Sequence, residues 1–292
     1  MRPPVRNLVV ILTVSLVLAS CAAPVSNPGS VEARGVLATP RGYEEPVPGA
    51  DAEAEELAKE LANPIASLIS VPFQLNHDRD IGPDDDGERT LLNVQPVIPF
   101  SLGEDWNLIT RTIIPIISQD EVLPGSSDQS GFGDIVQSFF FSPVESEVIW
   151  GVGPAVVLPT ASRTLLGTGK WSAGPTGVVL VQNGPWTYGA LANHLWSVAG
   201  DSDRSHVNAT FIQPFAAYTT PTAWTLTLQT ESTYDWRASQ WSIPVHGIAS
   251  KVVRFGNQLV SVGGGVRYWA ESGDNGPEGF GGRLFVTLLF PR

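Results

Sequence analysis

The chain has 292 residues, a formal net charge of -12 and a sequence pI of about 4.7, enough length for one large all-β domain or two small ones. The acidic balance argues against a nucleic-acid partner. Only 16% of residues are charged, Gly (29) and Pro (24) are plentiful, and the mean hydropathy is +0.06.

Residues 1–21 read as a targeting segment rather than structure. Arg2 and Arg6 give a positive start, and Leu8 to Leu18 form an apolar run too short to cross a bilayer as a helix. The run ends in Leu18-Ala19-Ser20-Cys21, which resembles a bacterial lipobox. Cys21, the only cysteine, is then the lipid-attachment residue; the alternative is an ordinary secretory signal that contains a cysteine. Both readings export the protein, and neither permits a disulfide within the chain. Residues 22–50, rich in Pro, Gly, Ser and Ala, read as a flexible tether.

The stretch 51–62, DAEAEELAKELA, is the convincing helix, with Ala54, Leu57, Ala58 and Leu61 on one stripe. One narrow apolar stripe suits a surface helix, so a periplasmic helix packed on a barrel rim is expected. A plug entering the lumen is the alternative.

From residue 63 to 292 the chain reads as an antiparallel up-and-down β-barrel of about twelve strands. The clearest hairpin is Trp171 to Val198, two extended segments of about thirteen residues joined at Asn183-Gly184-Pro185. Ordinary globular strands run about five or six residues, whereas about ten steeply tilted residues cross a hydrocarbon layer. Candidate strands are 65–78, 89–101, 105–118, 132–142, 148–159, 171–183, 186–198, 207–219, 223–234, 240–252, 259–271 and 279–290. Short turns alternate with mostly longer polar loops, the pattern of an outer-membrane barrel with both termini on the periplasmic side. Alternation is clear in 223–234, 259–271 and 279–290 and poor in 65–78 and 132–142. Prolines 72, 96, 99, 115, 154, 175, 214 and 244 fall inside proposed strands, where proline cannot donate to the ladder; bulges or kinks are expected there.

All nine tryptophans fall near strand ends. Trp106, Trp150, Trp186 and Trp224 lie toward the short turns; Trp171, Trp196, Trp236, Trp241 and Trp269 lie toward the long loops. Two interfacial belts of indole rings are expected of a spanning barrel. Alternation assigns Arg111, Gln229, Glu231, Arg267, Glu271 and Arg283 to the lumen. Charges in a membrane domain face the interior and pair, so Glu231 with Arg267 or Arg283 would set selectivity, close the pore, or simply satisfy one another.

Other chemistries have weaker support. A Ser–His pair at the outer rim, drawn from His77, His194, His206 and His246 with Ser197, Ser232 or Ser242, would make an outer-membrane lipid hydrolase, but no G-x-S-x-G elbow is present. Asp84, Asp85 and Asp86 have the hard oxygens that suit Ca²⁺ yet lack EF-hand spacing, so a solvated acidic loop is the expectation, with no metal and no cofactor. A non-conducting structural or surface barrel remains open.

Several blocks carry a family resemblance: NPIASLISVPFQLN (63–76), IGPDDDG (81–87), QPVIPF (95–100), EDWNLITRTIIPII (104–117), GFGDIVQSFFFSP (131–143), GPWTYGALANHLWS (184–197), TESTYDW (230–236), RYWAESGDNGPEGFG (267–281) and LLFPR (288–292). They are similar to a bacterial outer-membrane family named for the MetA pathway of phenol degradation, whose members are often labelled transporter. The resemblance covers about residues 63–292. It implies a Gram-negative outer-membrane location, outer-membrane lipid and the barrel-assembly machinery as partners, and passage of small compounds, aromatic or apolar ones among them.

Overall fold

The computed structural model describes residues 50–123 and 128–291. The expected signal segment with Cys21 and the tether lie outside the described residues, apart from Ala50 at the tether's end. Among the described residues, no helix is long and apolar enough to cross a membrane. One helix, α1 (Ala50–Leu61), precedes an all-antiparallel sheet.

The sheet closes on itself through twelve strands. These are β1 (Ile69–Ile81), β2 (Gly87–Val94, continued as Val97–Ser101), β3 (Trp106–Asp120), β4 (Gln129–Phe132, continued as Ile135–Pro143), β5 (Ile149–Leu158) and β6 (Lys170–Asn183). The second half is β7 (Trp186–Gly200), β8 (Asn208–Thr219), β9 (Trp224–Thr230, continued as Ser232–Asp235), β10 (Gln240–Phe255), β11 (Gln258–Glu271) and β12 (Phe280–Phe290). Each pairs with its sequence neighbour, and β12 pairs with β1 from Ile69↔Phe290 to His77↔Gly282, which leaves no free edge. In hydrocarbon an unpaired edge would leave backbone N–H and C=O groups unsatisfied at several kcal/mol each, so closure is required of a spanning sheet.

Three strands are interrupted, and proline stands at each break. Pro96 lies in the gap of β2, where Thr112 donates to its carbonyl. Pro244, without an N–H, faces the gap of β9, and the ladder resumes in the same register from Gln229↔His246 to Thr233↔Ser242. At Gly133-Asp134, opposite Pro115, β4 gains one residue: Ile116 pairs with Phe132 but Ile113 with Val136. The expected bulge is therefore real at Pro115, whereas Pro154 and Pro175 simply face each other in an unbroken ladder.

The turn after β6 is Gly184-Pro185, with Gly184 at φ +57°, a conformation in which only glycine escapes a steric cost. The connections at that end of the barrel are short, whereas those at the other end include 159–169, 201–207 and 272–279.

The wall begins at Ile69, not at 63 or 65. Residues 62–68 instead fill the short-turn mouth together with α1. The stripe of Leu57 and Ala58, with Ala54 and Leu61 beside it, packs with Ala66 and Leu68 on Ala223, Val252, Leu259 and Leu289. Ile65 reaches the opposite wall and is buried with Ile109, Phe140, Val178, Leu180, Leu191 and Phe215. The helix packs at the rim from the inner side: its apolar stripe meets inward-facing residues at the strand ends, and with residues 62–68 it forms a stopper over the mouth. Arg254 binds Glu53 at 2.7 Å and Gln182 donates to the Lys59 carbonyl at 2.9 Å, fixing its polar edge.

Outside, the rings gather in two belts. At the short-turn end Trp106 stacks edge-on against Trp150 and Trp186 against Tyr218, while Lys251 lies 5.6 Å from the Trp224 ring. At the long-loop end Trp196 and Trp236 flank His194, and Tyr234 touches both Trp236 and Trp241. Trp171 is exposed on the outer wall at the same end. Trp269 departs from the expected girdle: it faces inward and donates its indole N–H to Asp78 at 2.9 Å.

Candidate functional site

Inside the wall lies a cavity of about 570 Å³, floored by Ala58, Leu61 and Ala62 of the stopper. Its position follows from strand alternation. Gln74 of β1, Arg111 of β3, Phe211 and Gln213 of β8, Gln229 of β9 and Arg283 of β12 all project into it. Polar side chains line one sector, and Phe211, Phe215, Phe285, Ile113 and Val136 contribute apolar surface elsewhere.

The polar sector is a connected network. Arg283, 3% exposed, forks onto Glu231 with two bonds of 2.7 and 2.8 Å. Its Nε donates to Asn76 at 2.7 Å, so the guanidinium is held on two sides. Gln229 donates to Glu231 at 2.9 Å, and His246, fully buried, places Nε2 3.6 Å from the same carboxylate. Nearer the long loops, Arg267 meets Asp78 at 3.0 Å, with the guanidinium 4.4 Å from the Trp269 ring. Arg89 stands opposite Asp78 in the ladder, with its Nε buried and unbonded. Bidentate pairs of this kind are roughly twice as strong as neutral hydrogen bonds and fix geometry.

Glu231 keeps the lumen face of Gln229 and Thr233 across the break opposite Pro244. Glu231 donates its N–H to the Pro244 carbonyl at 3.3 Å, but proline returns no N–H, and the strand keeps register while its ladder breaks at that residue.

Arg111 stands apart. It makes one side-chain hydrogen bond, to Gln95 at 2.8 Å, and no carboxylate lies within ion-pair distance among the described residues. Among the described residues, Arg111 and Arg283 line the cavity against the single carboxylate of Glu231, while Asp78, Arg89 and Arg267 lie beyond it toward the long loops. Inside a chain of net charge -12, the chamber is cationic.

Of the residues assigned to the lumen from sequence, Arg111, Gln229, Glu231 and Arg283 line the cavity, and Arg267 sits beyond it against Asp78. Glu271 does not line it: the register shifts between Ile243 and Pro244, and Glu271 ends exposed at the long-loop rim. Glu231 chooses Arg283, not Arg267. Sequence reasoning missed Asp78, Asn76, Gln95 and Arg89. Gln74, Asn76 and Asp78 alternate on one face of β1, a signal blurred by reading residues 65–68 as part of the same strand.

Asp84, Asp85 and Asp86 are exposed in the β1–β2 connection, and among the described residues no three or more His, Cys, Asp or Glu side chains group as metal ligands. Ser197 Oγ lies 3.1 Å from His206 Nδ1 at the outer end of β7, but both join a loop closure in which Val207 donates to Ser197 Oγ. No carboxylate orients His206 among the described residues, so a hydrolase triad is not assembled there.

No family model matches the chain, and no curated protein does. Among solved structures, the crystal structure of an outer membrane channel from Pseudomonas putida F1 matches with a TM-score of 0.61 at 16% identity, covering 78% of this chain and 97% of that chain. A refined porin structure matches with a TM-score of 0.36 at 10% identity over 76% of this chain and 99% of that chain, too low to equate the two folds. The chain is similar in fold to the first of these, and its own sheet is a closed antiparallel barrel of twelve strands.

Proposed function

We propose that the protein is an outer-membrane channel for small molecules, including aromatic or apolar ones, closed at its periplasmic mouth by α1 and residues 62–68. The observation that carries this reading is a closed, belt-bounded barrel with a side-chain-lined cavity of about 570 Å³ on its axis. Rings of phenylalanine beside polar anchors fit solutes with an apolar body, and the family resemblance of residues 63–292 points the same way. Outer-membrane lipid bounds the barrel, the barrel-assembly machinery inserts it, and lipid on Cys21 tethers the exported chain to the same membrane.

The stopper favours a second reading, a barrel that does not conduct at rest. Planar-bilayer recording separates the two. Discrete openings, larger and more frequent when Ile65 is replaced by alanine, support a channel gated at its mouth. Folded protein that stays silent with and without residues 50–68 would sink the channel reading and leave a structural barrel.

A further inference from the structure

We infer that the cavity holds a small organic carboxylate with an apolar body, its anionic head on Arg111. Every other guanidinium whose contacts define the lumen network has a carboxylate beside it. Arg283 has Glu231, Arg267 has Asp78, and Arg89 stands across from Asp78. Arg111 has only the neutral Gln95. Its charge feels Glu231 from a distance but also the like charge of Arg283.

A guanidinium carries five donors in a rigid fork matched to a carboxylate. Gln95 uses Nη2, and none of the remaining donor atoms is a buried orphan, so they are open to the cavity. A cation left so in a low-dielectric wall is costly unless an anion or water meets it. The cavity wall carries Arg111 and Arg283 against Glu231, and this excess of one positive charge raises the local concentration of anions of either kind.

The remainder of the cavity selects among anions. Phe211, Phe215, Phe285 and Ile113 present apolar surface that a hydrated inorganic ion does not use. An aromatic or short aliphatic body fills it. The inference deepens the channel reading and uses the same cavity, but binding is measured without passage.

The test is calorimetric titration of the full chain in lipid nanodiscs, with empty nanodiscs subtracted. Three probes divide the claim: benzoate, its neutral counterpart benzamide, and acetate, which keeps the head and lacks the body. Benzoate is expected to bind at least about tenfold more tightly than either, the scale of a charge-assisted hydrogen bond. Arg111→Gln should lower benzoate affinity about tenfold and leave benzamide unchanged, with Arg111→Lys between. Equal binding of benzoate and benzamide, no binding of benzoate, or an Arg111→Gln protein that binds benzoate unchanged would each overturn the inference. If Arg111→Gln does not fold, the three-probe comparison on the natural chain and Arg111→Lys still decide. Benzoate binding by a barrel that never conducts would leave the site standing and remove the channel; conduction without benzoate preference would do the reverse.

Discussion

The two sides of the lumen differ in chemistry at mid-height. From β9 round to β1 the middle of the lumen carries the charged network of Glu231, Arg283, Asn76, Arg267 and Asp78, and these strands turn apolar only toward the short turns, at Val252, Leu259 and Leu289. From β3 to β8, near the short turns, the interior is apolar, and Ile65 is buried there among Ile109, Phe140, Leu180 and Phe215. A barrel interior facing water has no use for such a cluster. It exists because residues 62–68 cross the mouth and give those side chains something to bury against. An inward apolar sector in a membrane barrel thus marks what the lumen contains.

Breaking the charged side should have the largest effect. Glu231→Ala strands Arg283, 3% exposed, without its bidentate partner; roughly 3–5 kcal/mol of stability against urea is expected to go. The double change Glu231→Leu with Arg283→Met removes both charges and should recover most of it. A single change that costs nothing would show that water in the cavity already screens the pair.

On the apolar side, Ile65→Ala should cost about 2–4 kcal/mol, since the side chain is 3% exposed in a cluster with six other buried side chains that cannot all collapse. The same substitution should loosen the stopper, read as increased bilayer conductance. A loss of stability with no change in conductance would mean that the segment packs without closing the path.

Trp269 and Trp171 sharpen the contrast between inside and outside. Trp269→Phe loses the hydrogen bond to Asp78, and about 1–2 kcal/mol is expected. Trp171→Phe, on the exposed outer wall, should cost less and move only the fluorescence that reports the interface. The stopper's outer latch is smaller still: Arg254→Gln breaks an ion pair with both side chains about half exposed, for which less than about 1 kcal/mol, weaker in high salt, should be measured.

The smallest effect concerns Glu60 of α1. Burial, and then the nearby Glu56 carboxylate, hold its carboxyl above the usual glutamate range. Because the folded value is raised, its neutral form favours the docked helix: the gain is complete below the unfolded value and lost as pH rises through the folded one. Glu60→Gln should therefore raise the melting temperature slightly at neutral pH and not in acid. An equal shift at both pH values would assign the effect to something other than ionisation.

Much of this architecture is legible in the residues. Strand lengths, alternating turns and paired Trp positions carry the barrel, because a hydrocarbon layer demands about ten extended residues per crossing and rewards indole at its borders. Where polar residues alternate cleanly, as Thr225, Thr227, Gln229 and Glu231 do, the lumen face can be read directly. The reading fails where a third element fills the lumen. In β4, Phe139, Phe140 and Phe141 are apolar on both faces, and only the burial of Phe140 against Ile65 tells them apart. The same element explains why 65–78 read poorly: residues 65–68 belong to the stopper and only those from Ile69 to the wall.

Sequence by itself determined the class of fold, the number of strands, most of the outer belts and the inward direction of Arg111, Glu231, Arg267 and Arg283, though not of Asp78 or Arg89, since strand length and a period of two can be read along a single strand. Tertiary structure alone decided the rest. Which arginine meets Glu231 depends on where strands far apart in the chain face one another across the lumen. Whether Trp269 joins the belt or bonds Asp78 depends on the inward face of β11. That α1 packs on the inner side of the rim depends on whether the strand ends offer it apolar side chains from within, as Val252, Leu259 and Leu289 do. An amphipathic stripe specifies that a helix must be covered, and only the assembled barrel supplies the surface that covers it.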